Sequence, residues 1–92
     1  MCIEDGRYKQ HNIDTINDDD TMTAERCQIK CQERPNCHFW TYDSGMDPDN
    51  CFLQDKDAVN DMDTCSTCKR GPKYCPRGKQ SHFMHISFSF KQ

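Results

Sequence analysis

Eight cysteines in a chain of 92 residues narrow what this sequence can fold into more than any other feature. An even cysteine count at this density in so short a chain belongs to a secreted disulfide scaffold, because cytosolic glutathione keeps intracellular thiols reduced. The need for cross-links shows in the apolar inventory. Twenty-three other apolar residues remain, with one Leu and one Val among them, against a charged fraction of 29%. A domain of this length buries a smaller share of its surface than a larger one, so packing alone leaves it marginal. The chain is expected in an oxidising compartment, secreted or extracellular, with a secretory organelle as a further setting.

No stretch approaches the roughly 18 apolar residues needed to span a bilayer, so no membrane span is expected. The start Met1-Cys2-Ile3-Glu4-Asp5 lacks the basic and apolar regions of a signal peptide. The expectation is one module, residues 1–92, cut from a longer secreted chain and flanked there by neighbouring modules. Charge divides along the chain: residues 1–68 hold 6 Lys/Arg and 15 Asp/Glu, while residues 69–92 hold 6 Lys/Arg and no acid. Such asymmetry bears on partners and says nothing about fold. Nucleic acid is excluded as a partner by compartment.

Thr23 is a good helix N-cap, Ala24 and Glu25 suit a first turn, Arg34 suits a last turn, and Pro35 forbids continuation, which predicts a helix from about Ala24 to Glu33. Cys27 and Cys31 lie four apart and share one face of it. His38-Phe39-Trp40-Thr41-Tyr42 and Cys51-Phe52-Leu53-Gln54, joined by the turn-forming segment Asp43 to Asn50, read as a β-hairpin. His38, Trp40 and Tyr42 share one strand face and Phe39 and Thr41 the other; the pattern leaves open which is buried. Tyr8 to Ile16 reads as one or two short strands, Asp55 to Thr64 as a loop, and Gly71-Pro72 as a turn. From His82 to Phe90, Met84, Ile86, Phe88 and Phe90 alternate with polar residues as in a half-buried strand. The fold class is α+β, a single helix on a small antiparallel sheet.

Nothing in the sequence supports catalysis. There is no nucleophile elbow, zincin motif or phosphate loop, and an even cysteine set leaves no free thiolate. Cys65-x2-Cys68 with Cys75 meets only half of zinc spacing, because the one downstream pair, His82-x2-His85, lies within an alternating strand. Asp43, Asp47 and Asp49 do not have EF-hand spacing and suit a turn. No metal and no cofactor are expected.

Six of the cysteines carry a resemblance. Thr23-Ala24-Glu25-Arg26-Cys27-Gln28-Ile29-Lys30-Cys31-Gln32, then Cys37-His38-Phe39-Trp40-Thr41-Tyr42, then Cys51-Phe52-Leu53, and finally Gly71-Pro72-Lys73-Tyr74-Cys75 resemble the PAN/apple family. The match is nearest to the apple modules of apicomplexan microneme adhesins, and its frame covers residues 2–75. The resemblance implies the disulfides Cys2–Cys75, Cys27–Cys51 and Cys31–Cys37, and a core position for Trp40. The six-cysteine frame does not supply Cys65 and Cys68, which are therefore paired with each other, and a bond from Cys2 to Cys68 in place of Cys75 stays open. The resemblance further implies a non-enzymatic adhesion or ligand-recognition module for a protein ligand, with a cell-surface glycan as the alternative. Lys69, Arg70, Lys73, Arg77 and Lys79 crowd around Cys75 and form the candidate patch for an acidic partner or for sulfated or sialylated glycans. The competing reading is a solvated flank that balances the acidic body.

Overall fold

The computed structural model describes residues 2–17, 21–46 and 49–76. The expected C-terminal strand at about 82–90 lies outside the described residues, as do Arg77, Lys79, His82, His85 and Asp47. Strands β1 (Glu4–Asp5), β2 (Arg7–Tyr8) and β3 (Asn12–Asn17) precede the helix α1 (Ala24–Gln32). Strands β4 (Phe39–Asp43) and β5 (Asp49–Gln54), a 3-10 turn at Ala58–Asn60, and strands β6 (Met62–Asp63) and β7 (Cys68–Pro72) follow. The fold is α+β and rich in disulfides.

The helix begins where the chain supplies a cap. Thr23 is extended at φ −134° and ψ 169°, and its Oγ1 accepts a hydrogen bond from the Arg26 N–H at 3.1 Å, which satisfies one of the orphan donors of the first turn. It ends at Gln32, with Glu33 as C-cap. Arg34, expected in the last turn, lies beyond it and ion-pairs with Asp14 of β3.

Five strands form one antiparallel sheet in the order β1-β7-β4-β5-β3, and β2 and β6 form a separate two-stranded ribbon. Trp40 faces Leu53 and Tyr42 faces Cys51 across the β4–β5 pair. These side chains point to the helix. The buried cluster beneath the helix holds Met22, Trp40 and Leu53 together with Cys27, Cys31, Cys37 and Cys51. Four of its seven members are thus half-cystines, which is how a chain with one leucine fills a core. The disulfides join Cys2 to Cys75, Cys27 to Cys51, Cys31 to Cys37 and Cys65 to Cys68. Cys27–Cys51 ties the helix to the sheet.

Two segments differ from the sequence expectation. Asp55 to Thr64, read as a loop, contains the 3-10 turn and β6, elements of two or three residues that are too short to show a period. Gly71-Pro72, read as a turn, lies inside β7. Gly71 is needed there because a Cβ would sit 2.9 Å from Trp40 Cζ2. Pro72 costs little in ladder bonds, because β1 pairs only as far as Lys69 and Arg70. Its carbonyl accepts from Trp40 Nε1 at 2.9 Å and from Gln28 Nε2 at 3.1 Å, which locks the indole and the helix to the strand end.

Candidate functional site

Of the expected basic cluster, the described members Lys69, Arg70 and Lys73 each hold a partner within the fold. Lys69 is ion-paired with Asp5, and this hydrogen bond and charge hold the Asp5 carboxyl below its usual range. Arg70, with a side chain only 14% exposed, pairs with Glu4 at 2.9 Å. It also donates to the carbonyls of Arg7 at 3.1 Å and Asp63 at 3.4 Å, and its guanidinium lies 5.4 Å from the centre of the Tyr8 ring. Lys73 donates to the Arg34 carbonyl at 2.7 Å, just past the helix C-terminus, where a cation is favoured. These three cations fasten β1, the ribbon and the helix end to β7. The charge division seen in the sequence is in part the two sides of these internal pairs.

A polar cleft of about 170 Å³ opens instead on the sheet face away from the helix. Strand alternation puts Thr41 and Asp43 on this face, opposite in direction to Trp40 and Tyr42. Segment 7–12 runs across them. Its anchor is Gln54, 1% exposed, whose Nε2 donates to the Tyr8 carbonyl at 2.7 Å, the Gln10 carbonyl at 3.3 Å and Asn12 Oδ1 at 3.0 Å. Its Oε1 accepts from Thr41 Oγ1 at 3.0 Å, and that oxygen in turn accepts from the Tyr8 N–H at 3.1 Å. Every polar atom of this floor has a partner, so the network is rigid and holds the overlying strand in place. The Tyr8 ring meets Phe39 edge-on, with centroids 5.2 Å apart, and burial pushes its phenol pKa up.

Three groups at the cleft have capacity to spare. Asn12 uses its Oδ1 on Gln54, which leaves its Nδ2 without a bond among the described residues. Lys9 lines the cleft, and its ammonium makes no ion pair among the described residues. Asp43, 9% exposed, uses Oδ1 twice, accepting from the Gly45 N–H at 2.9 Å and from Thr67 Oγ1 at 2.6 Å, and Oδ2 has no bond among the described residues. Phe52 and Met46 supply apolar wall. A carboxylate, an amide donor and an ammonium beside an aromatic ring offer the hydrogen-bonding chemistry that suits a ligand bearing several hydroxyl groups.

The hairpin tip is braced from the side by the loop 65–68. The Thr67 carbonyl accepts from the Ser44 N–H at 2.9 Å and from Ser44 Oγ at 3.0 Å, and the Thr67 hydroxyl holds Asp43. Asp43, Cys65 and Cys68 bring one oxygen and two sulfurs within 4.8 Å of one another, but both sulfurs are spent in a disulfide and are not thiolate ligands. Cys75, the remaining member of the zinc spacing, is bonded to Cys2.

Sequence reasoning missed Lys9, Asn12 and Gln54. Period-2 alternation does mark Gln54 as the partner of Phe52 across the pleat from Leu53. Nothing local says that a second layer would cover that face. A family model described as the PAN domain matches residues 3–75. No curated protein and no solved structure matches the chain.

Proposed function

The chain belongs to the PAN domain family, and from that premise we propose that it is the recognition module of an adhesive extracellular protein and takes a terminal sugar of a cell-surface glycan in the cleft over Gln54. PAN domains are binding modules for protein or carbohydrate and not typically enzymes, and four disulfides fit an oxidising compartment. The observation that carries the reading is the unused hydrogen-bonding capacity of Asp43, Asn12 and Lys9 around a rigid, satisfied floor. A cleft of about 170 Å³ has room for a single ring. Attachment to a host cell, with neighbouring modules of the same chain adding avidity, is the setting that the resemblance to microneme adhesins suggests.

The ligand in this reading is hydroxylated rather than polyanionic. Lys69, Arg70 and Lys73, the described members of the basic cluster, hold structural partners, which argues against sulfated or sialylated glycans as the main ligand. A protein ligand is the second reading, favoured by Met46, which stands 47% exposed at the rim of the same cleft. A glycan array read with the wild type and with Asn12→Asp tests the proposal. The substitution keeps the acceptor that Gln54 needs and removes the free donor. Sugars bound by the wild type and lost on Asn12→Asp support the reading; an array blank for the wild type overturns it.

A further inference from the structure

We propose that the Cys65–Cys68 disulfide is a thiol-exchange site, attacked at Cys65 by a small thiol of the glutathione class, and that opening it releases the wall of the ligand cleft; the second half rests on the cleft reading above.

The four disulfides differ in access. Cys27, Cys51, Cys31 and Cys37 are each 0% exposed, so no thiol reaches these two bonds without unfolding. Cys65 is half-buried and lines an open cleft of about 370 Å³ with Asp5, Gly6, Thr64 and Ser66. Cys68 is 2% exposed and lines the ligand cleft instead. The bond therefore crosses a wall with an open cleft on the Cys65 side, and this is where an incoming thiolate has room. Cys2 and Cys75 are also half-buried, and Gln28 Nε2 donates to the Cys75 sulfur at 3.5 Å. Exchange rates follow access and the choice of sulfur attacked.

The step balances with two equivalents of thiol. A thiolate forms a new S–S bond to Cys65 Sγ, the Cys65–Cys68 bond breaks, and its electron pair leaves on Cys68 Sγ, which takes a proton from water. A second thiolate then attacks the mixed disulfide, which releases Cys65 as a thiol and the small thiol as its oxidised dimer.

Opening the ring matters because Thr67 lies inside it. The four-residue ring holds the Thr67 hydroxyl on Asp43 and its carbonyl on Ser44. Once the ring opens, Thr67 gains freedom, Asp43 loses its 2.6 Å donor, and the hairpin tip loses its brace. The fold persists on the three remaining disulfides.

The test incubates the folded protein with reduced glutathione, alkylates free thiols, and maps both modifications by peptide mass spectrometry while hydrogen exchange follows the hairpin tip. The expected result is a first glutathione adduct on Cys65 with Cys68 alkylated and the other six cysteines untouched. The Ser44 and Gly45 amides, which donate to Thr67 and Asp43, should then exchange at least tenfold faster, while amides of β4 and β5 keep their protection. A first adduct at Cys2 or Cys75, or none before global unfolding, overturns the exchange site. An adduct at Cys65 with unchanged Ser44 and Gly45 exchange overturns its control of the cleft. Neither readout uses a sugar, so a blank glycan array would sink the proposed function and leave this result standing.

Discussion

Replacing Cys27 and Cys51 together by alanine asks whether disulfides substitute for a hydrophobic core here. The pair closes a loop with a sequence separation of 24, for which chain entropy gives about 3.5 kcal/mol. Both sulfurs are 0% exposed in the cluster around Trp40, so each truncation leaves a void worth about 1 kcal/mol. The sum of about 5 kcal/mol is comparable with the whole stability of a small domain, roughly 5–15 kcal/mol. At about 4–8 °C per kcal/mol for this size, the midpoint falls by at least roughly 20 °C. The matched control is Cys65→Ala with Cys68→Ala. That bond closes a separation of only 3, worth about 1.9 kcal/mol by the same relation, and its loss lowers the midpoint by roughly 8–15 °C. Thermal unfolding followed by near-ultraviolet circular dichroism, which reports the packing of Trp40, measures both. Equal losses in the two double variants would refute the assignment of the core to the buried half-cystines.

Three further outcomes follow from the geometry. Gly71→Ala should cost about 1–3 kcal/mol by overpacking, since its Cβ would meet Trp40 at 2.9 Å, and urea unfolding checks it. Arg70→Ala should cost roughly 2 kcal/mol through its lost contacts to Glu4, Tyr8 and two carbonyls, whereas Lys69→Ala, an exposed pair, should cost close to nothing in the same assay. Hydrogen bonds from Arg34 and Arg7 hold Asp14 and Asp63 below the usual carboxylate range. Their contribution is therefore fully present above the unfolded value of about 3.9 and is lost as pH falls through the lower folded values; an acid titration of the melting midpoint should show the loss, and Asp14→Asn should reduce it.

Sequence and structure meet where a local signal coincides with a tertiary need. The helix is legible because Thr23 caps it and Pro35 stops it, and the hairpin because Phe39 to Tyr42 and Cys51 to Gln54 flank turn residues. What escaped detection depends on contacts between distant segments. Gly71-Pro72 looks like a turn until Trp40 is known to lie against Gly71. Lys69 and Arg70 look like part of a patch until Glu4 and Asp5, more than 60 positions away, are seen beside them in register on β1. The cleft was invisible for the same reason: segment 7–12 is brought over Thr41 by hydrogen bonds to Gln54, and no local pattern encodes a side chain that serves four acceptors and donors across the sheet.

Recognition in the cleft is tested directly by an amide chemical-shift map of the protein titrated with the sugar that gives the strongest array signal. Saturable shifts are expected at Lys9, Asn12, Asp43 and Phe52, with the amides of Lys69, Arg70 and Lys73 unmoved. Shifts centred on Lys69 to Lys73 with the cleft silent would contradict it and return recognition to the basic segment.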